Sequence, residues 1–138
     1  MKVRPFEVVD ESDVIDLWNR CGLIRPWNDP RKDIARKLRV QPDLFLVGIV
    51  DDEVVATVMA GYEGHRGWIN YLAVSPDHLR KGYGRTMMEE AERLLLKAGC
   101  PKVNLQVREE NADVIKFYKC IGYTVDRVVS MGKRLENE

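Results

Sequence analysis

A length of 138 residues with 45% hydrophobic and 32% charged residues predicts one globular domain over residues 1–138 and excludes disordered, fibrous and low-complexity proteins. Lys and Arg together number 22, as do Asp and Glu, so no overall field attracts a nucleic acid or an anionic membrane. We therefore expect neither as a partner, and any anion site has to be local.

The first half of the chain predicts a strand, two helices and a three-stranded antiparallel meander. A strand over Val3–Val8 precedes a helix whose apolar positions recur at i, i+3, i+4 and i+7 from Val14 to Cys21. Asp29 followed by Pro30 pairs a capping residue with proline at the first helical position, so a second helix begins there. The three β-rich runs, joined by short polar turns, cover 44–50, 53–62 and 68–74.

The second half predicts a long helix, a strand, another helix and a last strand. Gly99 and Gly122 are typical helix ends, and Pro101 blocks continuation of the long helix. The predicted order is βααβββαβαβ, which indicates an α+β domain with a mixed, mostly antiparallel sheet. The apolar face of the long helix runs from Met87 to Ala98, and the other three elements cover Lys102–Val107, Asn111–Ile121 and Tyr123 to about Leu135.

The N-terminus lacks the apolar stretch of a signal peptide, and the longest apolar run, Leu44–Val50, has seven residues, against the roughly 20 that cross a bilayer. These features predict a cytoplasmic protein. Cys21, Cys100 and Cys120 show no CxxC spacing, so we expect buried, reduced thiols. The two histidines have no second ligand nearby in the sequence, so no metal site is expected.

The most informative stretch opens the long helix and reads Arg80-Lys81-Gly82-Tyr83-Gly84-Arg85. Glycines let a ligand approach the backbone, and the N–H groups of a helix's first turn attract anions. Three cations within six residues of a neutral chain favour a polyanionic ligand such as a phosphate. The alternative is a solvated basic turn with ordinary capping glycines.

Other phosphate-binding motifs fit this loop less well. The third glycine of a dinucleotide-binding G-x-G-x-x-G motif would be Met87, and neither glycine of this loop is followed by a lysine as in a P-loop. A nucleotide-binding protein is therefore the weakest of the interpretations.

Two motifs carry a resemblance to a known family. Leu72-Ala73-Val74-x-Pro76 followed by the glycine loop resembles the acyl-CoA pyrophosphate loop of the GNAT acetyltransferases, Q/R-x-x-G-x-G/A, with Leu79 in the Q/R position. Asn111-x-x-Val114-x-x-Phe117-Tyr118-x-x-x-Gly122-Tyr123 resembles that family's N-x-x-A-x-x-L/F-Y-x-x-x-G-F motif. The resemblance covers essentially the whole chain, including its element order. Within the family, the chain is similar to the small bacterial YpeA-like branch.

The resemblance implies an acetyl-CoA-dependent N-acetyltransferase, an acyltransferase that uses no metal. A primary amine attacks the thioester directly through a tetrahedral intermediate, and Tyr118 acts as the general acid that protonates the departing thiolate. Asn111 is a helix cap, a CoA contact or both. The residues implied to bind acetyl-CoA are Leu72, Ala73, Val74, Arg80, Lys81, Gly82, Tyr83, Gly84, Arg85 and Asn111.

Four questions stay open at this stage. Some relatives place a glutamate base where this chain has Gln106, which cannot accept a proton, so Glu63, His65 or water takes that role. The amine acceptor is unidentified, although Trp27, Arg25 and Trp68 are candidates for its pocket. A non-catalytic acyl-CoA-binding or regulatory module is the alternative function, and the sequence leaves open whether the chain forms a homodimer.

Overall fold

A computed structural model of the chain describes residues 1–137. They divide into two compact units, Met1–Leu105 and a second that begins at Gln106. No helix among these residues is long and apolar enough to cross a membrane. The elements are β1 (Lys2–Pro5), α1 (Glu11–Arg20), α2 (Pro30–Lys37), β2 (Phe45–Val50), β3 (Glu53–Tyr62), β4 (Gly67–Val74), α3 (Tyr83–Lys97), β5 (Val103–Asn104) and α4 (Ala112–Cys120).

The first unit contains one five-stranded sheet in the order β1-β2-β3-β4-β5. Neighbouring strands are antiparallel except β4 and β5, which run parallel. Asp51 and Asp52 join β2 to β3 with φ angles of 49° and 63°, the left-handed conformation that tight hairpin turns need. The predicted fold class, an α+β domain with a mixed sheet, is confirmed.

Both faces of β3 are covered, which explains its almost continuous apolar sequence. Thr57 and Met59 face α1, because Thr57 bonds to Trp18 and Met59 packs in the same buried cluster. Since side chains alternate along a strand, Val58 and its neighbours Ala56 and Ala60 face the opposite side, where α3 packs on the strand. The sheet therefore lies between α1 on one face and α3 on the other.

The predicted start of α2 is confirmed in detail. The Asp29 carboxylate accepts hydrogen bonds from the N–H groups of Arg31 and Lys32, and Pro30 is the first helical residue. These bonds satisfy donors that have no partner within the helix.

The predicted last strand is wrong, because residues 123–137 contain no strand. Val125 and Val128 have strand propensity, but a strand forms only where a neighbour satisfies its peptide groups. These two side chains are instead 71% and 77% exposed. A side-chain bond, from the Gln106 amide to the Ser130 hydroxyl, links this segment to the start of the second unit. The strand expected over Lys102–Val107 is likewise reduced to β5.

The expectation of three buried thiols is partly wrong. All three cysteines are free, and Cys100 is buried, but Cys21 is half-buried and Cys120 is exposed. Cys120 lies two residues after the buried Tyr118, and that separation places it on another face of α4.

A bidentate ion pair joins β1 to the start of α1. Arg4 donates two hydrogen bonds, of 2.7 and 2.9 Å, to the Asp10 carboxylate, which also accepts the Glu7 N–H at 2.8 Å. The Arg4 bond outweighs desolvation and holds the pKa of Asp10 below its usual range. A carboxyl with a lowered pKa stabilises the fold above its unfolded pKa, and this contribution is lost as pH falls through the folded pKa.

We expect Asp10→Asn to lower the free energy of unfolding at pH 7 by about 1.5–3 kcal/mol, the range for a hydrogen bond to a charged group. Urea titrations at pH 7 and below pH 4 measure this. The difference between wild type and variant should shrink at the lower pH, because protonation removes the same charge from the wild type. An equal difference at both pH values would contradict this role of the carboxylate.

Candidate functional site

A β-bulge interrupts the pairing of β4 with β3. Tyr71 and Leu72 both lie opposite Val58, because the register shifts between Thr57 and Met59. Tyr71 has a φ of 51°, in the left-handed region that residues with a Cβ seldom adopt. Bulges of this kind redirect the side chains and peptide groups that follow them. The strand that carries Leu72, Ala73 and Val74 thus contains a β-bulge directly before these residues.

The bulge changes the face of the sheet towards which β4 side chains point. A Cβ on Gly67 would meet the Cys100 Sγ at 2.8 Å and the Leu95 Cδ1 at 3.3 Å, so this position faces α3. Ala73 is six residues further on and would face the same side in a regular strand. It packs instead in the buried cluster around Trp18 of α1.

A chain of hydrogen bonds holds the bulge from the α1 side. The Trp18 Nε1–H donates to the Thr57 Oγ1 at 2.9 Å, and the Thr57 hydroxyl donates to the Tyr71 carbonyl at 2.8 Å. The Tyr71 ring stacks on Trp18 with centroids 3.7 Å apart. Its hydroxyl donates to the Asp33 Oδ2 at 2.6 Å. Residues from α1, α2 and β3 therefore converge on one residue of β4.

Beyond the bulge, the edge of β4 that faces away from β3 is not paired with β5, which contacts only the first two residues of β4. The Ser75 N–H donates to the Val55 carbonyl, so by alternation the peptide groups of Val74 point away from β3. The Val74 carbonyl accepts a hydrogen bond from the Cys21 thiol at 3.3 Å. A ligand with amide groups can pair with such an edge as a strand does.

The loop after β4 ends at the N-terminus of α3. Gly82 is the N-cap with a φ of 76°, and its carbonyl accepts the Thr86 N–H at 3.0 Å. The N–H groups of the first turn have no partner within the helix, and they lie at the positive end of its dipole. A Cβ on Gly82 would meet no atom within 4 Å, so the space in front of this helix end is open.

Positive side chains surround this helix end. Arg80, Lys81 and Arg85 are exposed, and the first turn of α3 contains no acidic residue. Leu79 is also exposed, at 59%, and its own N–H remains available whatever its side chain. Backbone donors and cations together form an anion site of the kind that binds phosphate.

Tyr83 and Gly84, also predicted to bind acetyl-CoA, are the first two residues of α3 and are half-buried. The Tyr83 ring stacks on His78, with centroids 6.2 Å apart. The first unit therefore brings the predicted positions on β4 and in the glycine loop into one continuous segment.

Tyr118 lies in the second unit, on α4, and is 9% exposed. Phe117 and Tyr123 contact its ring edge-on, with centroids 5.2 and 5.6 Å away. Burial raises the pKa of Tyr118 to about 12. Within residues 106–137 its hydroxyl makes no hydrogen bond. The phenol is therefore protonated at neutral pH and has a free donor within this unit.

Asn111 stands at the N-cap of α4, but its side chain makes no capping hydrogen bond. The predicted helix start at Asn111 is confirmed, and the Ile115 N–H donates to the Asn111 carbonyl, but the side chain takes no part in the cap. Its φ and ψ of −91° and 67° differ from the extended conformation that usually brings a capping side chain to the N3 amide. The exposed amide is thus available to a ligand.

Of the two side chains considered as a base, Glu63 is already engaged. Its carboxylate accepts hydrogen bonds from the N–H groups of His65 and Arg66. These bonds, that of Arg66 first, lower the pKa of Glu63, which makes it a weaker base than an ordinary glutamate.

The candidate acceptor residues Trp27 and Trp68 are 45% and 39% exposed. Residues 1–137 contain no group of three or more potential metal ligands.

Comparison with known proteins decides the family. Residues 12–123 match the Acetyltransferase (GNAT) family. An acetyltransferase of Sodalis glossinidius is 48% identical over 136 residues, which cover 98% of this chain and 96% of that protein. The chain belongs to the GNAT acetyltransferase family. This confirms the resemblance on which the sequence interpretation rests.

Solved structures of GNAT proteins share the fold. The aminoglycoside 6'-N-acetyltransferase AAC(6')-IG of Acinetobacter haemolyticus superposes with a TM-score of 0.78 at 16% identity, over 99% of this chain and 100% of that one. AAC(6')-Iy, in complex with a CoA-linked bisubstrate analogue, gives 0.78 at 16% identity over 96% and 97%. At these identities the likeness establishes the GNAT architecture alone.

Sequence reasoning missed the residues that hold the bulge. Trp18 and Thr57 are separated by 39 residues, and Thr57 and Tyr71 by 14. One signal was present, namely a threonine at position 57 within an otherwise apolar run of β3. A hydroxyl in a buried strand needs a hydrogen-bond partner, and here it has two.

Proposed function

We propose that this protein is an acetyl-CoA-dependent N-acetyltransferase that acetylates a primary amine, with residues 1–138 acting as one domain. The observation that carries the proposal is the bulged, open edge of β4, which leads directly into a glycine and cation loop at the N-terminus of α3. The family match spans residues of both compact units.

Acyl-CoA fits the residues of this segment. The open space at Gly82 accommodates a pyrophosphate close to the backbone, where first-turn N–H groups bind it. Arg80, Lys81 and Arg85 contribute positive charge. The peptide groups of Leu72 and Val74, which by alternation point to the open edge, pair with the amides of pantetheine, Ala73 lies between them, and Asn111 supplies a further polar contact.

The reaction balances without a metal or an external oxidant. Acetyl-CoA supplies an activated thioester carbonyl. The neutral amine nitrogen forms a bond to this carbonyl carbon, backbone N–H groups of β4 stabilise the oxyanion, and the carbon–sulfur bond then breaks. The amine loses one proton, the CoA sulfur gains one, and the products are an N-acetylamine and CoA thiol.

Tyr118 is the proposed donor to the departing sulfur. A phenol with a pKa of about 12 is protonated throughout the physiological range, whereas an ordinary thiol has a pKa near 8.5. Complete proton transfer to a free thiolate is therefore uphill, so the phenol gives its proton to the sulfur only as the carbon–sulfur bond breaks, and the phenolate, the stronger base, regains the proton that the amine nitrogen loses. The acceptor ammonium is deprotonated by His65 or by water.

The proposal is tested by CoA binding and turnover measured together. Calorimetry should show binding of acetyl-CoA, and a thiol-release assay with a panel of amines should show release above the hydrolysis background. CoA binding without release for any amine would favour the alternative, a non-catalytic acyl-CoA-binding module. Preference for ATP or NAD over CoA would overturn both.

The cations of the loop should contribute measurably to CoA affinity. We expect Arg85→Ala to weaken binding by about 1–3 kcal/mol, because a charge-assisted hydrogen bond is lost, and we expect added salt to reduce the difference. Arg39→Ala removes the same charge from an exposed position outside the proposed site and is the matched control. Equal affinities of the two variants, measured by calorimetry, would count against the assigned phosphate site.

A further inference from the structure

We propose that Thr57 is a positioning residue, whose hydroxyl holds the β4 bulge in the conformation that acyl transfer requires. This inference rests on the proposed N-acetyltransferase function. It assigns a catalytic consequence to a buried group on β3 that touches neither substrate, and it adds Trp18 and Tyr71 as the partners through which Thr57 acts.

The direction of the Thr57 hydrogen bonds is fixed by their partners. An indole N–H only donates and a carbonyl only accepts, so the hydroxyl accepts from Trp18 at 2.9 Å and donates to Tyr71 at 2.8 Å. Thr57 and Trp18 are both 0% exposed, so water cannot easily replace either bond. The hydroxyl therefore has one orientation, which points its proton at the bulge.

Tyr71 is held at three points. Its carbonyl accepts the Thr57 bond, its ring lies 3.7 Å from Trp18 at an interplanar angle of 11°, and its hydroxyl bonds to Asp33 at 2.6 Å. A φ of 51° is unfavourable for a residue with a Cβ and persists only where the surroundings enforce it. These contacts are the surroundings that enforce it.

The conformation of Tyr71 determines where the following peptide groups point. The extra residue at the bulge brings Ala73 to the α1 side of the sheet and turns the Val74 peptide to the open edge. N–H groups stabilise an oxyanion only when they lie about 2.7–3.1 Å from it. A bulge that relaxed into a regular strand would reverse the faces and misplace these donors.

The test replaces Thr57 by valine, which keeps the shape and removes the hydroxyl. With acetyl-CoA and an amine that the wild type acetylates, we expect Thr57→Val to lower kcat at least tenfold and to change the Kd for CoA less than threefold, since the phosphate loop is untouched. Thr57→Ser restores the hydroxyl and should return kcat to within about threefold of wild type.

Val14→Ala is the control for general destabilisation. Val14 is 0% exposed and lies in the same cluster, but it makes none of these hydrogen bonds, so the variant should lose stability and keep its kcat. A nitrogen-15 spectrum gives a second readout. In Thr57→Val the Trp18 indole signal and the amide signals of residues 71–74 should shift, while the loop signals stay in place.

The outcomes separate the two proposals. A wild type without turnover for any amine contradicts the proposed function, and the spectra then still report on the bulge. A wild type that turns over while Thr57→Val matches it in kcat overturns the positioning role, as does an unshifted spectrum of residues 71–74. If Thr57→Val does not fold, Tyr71→Phe, which removes the hydroxyl bonded to Asp33 and keeps the ring on Trp18, should show a several-fold lower kcat with unchanged CoA affinity, and wild-type kcat there overturns the role.

Discussion

Replacing Tyr118 with phenylalanine should lower kcat by about 10²-fold or more, the usual contribution of a positioned proton donor. The ring and its edge-on contacts with Phe117 and Tyr123 remain in the variant. Because the phenol makes no hydrogen bond within its own unit, thermal stability and the Kd for acetyl-CoA should change little. Steady-state kinetics, a melting curve and calorimetry on one preparation measure all three.

Tyr123→Phe is the matched control, because it removes a phenol hydroxyl from the same aromatic group at a position where the family motif has phenylalanine. Its kcat should stay within about threefold of wild type. A wild-type kcat in Tyr118→Phe would refute the proposed role of the phenol. If the Tyr118 hydroxyl were only structural, Tyr118→Phe would lower the free energy of unfolding by about 1 kcal/mol and leave kcat unchanged.

The expected pH dependence of kcat follows from the raised pKa of Tyr118. A phenol with a pKa of about 12 keeps its proton up to pH 10, so wild-type kcat should not fall between pH 8 and 10 through loss of this donor. An alkaline limb with a midpoint below pH 10 that vanished in Tyr118→Phe would show that the pKa in the enzyme is lower than burial indicates.

Most of the fold could be predicted because its signals are local. The stripe of apolar residues in α1, the Asp29-Pro30 start of α2 and the turn at Asp51 each depend on a few neighbouring residues. Residues 123–137 had a similar local pattern but form no strand. Strand formation there depends on a partner strand, which no local pattern reveals.

The candidate site likewise contains some features that depend on neighbouring residues and others that depend on distant ones. The glycine loop is one contiguous motif, so its charges and its place at the start of α3 could be predicted from the sequence. The bulge at Tyr71 depends on Trp18 and on Thr57 across the sheet, and only the fold brings these residues together. Similarly, the hydrogen bonds that the Glu63 carboxylate accepts from its own turn could not be predicted from the sequence.

Replacing Gly82 with tryptophan should abolish CoA binding and leave the fold intact. A Cβ at this position meets no atom within 4 Å, so the side chain extends into the open space in front of the α3 N-terminus. That is the space proposed for the pyrophosphate, and a bulky group there keeps phosphate oxygens from the first-turn N–H groups. A φ of 76° adds a conformational cost of about 1–2 kcal/mol for any residue with a Cβ.

Gly99→Trp separates obstruction from this conformational cost. Gly99 follows the C-terminal end of the same helix, has a φ of 92° and also has no atom within 4 Å of a Cβ, so the two variants should lose similar stability in a urea titration. Calorimetry should then detect CoA binding to Gly99→Trp with wild-type affinity. It should detect no binding to Gly82→Trp at a CoA concentration of about a hundred times the wild-type Kd. Unchanged affinity in a folded Gly82→Trp protein would mean that the pyrophosphate binds elsewhere, because a side chain in that space and a phosphate on the helix end cannot coexist.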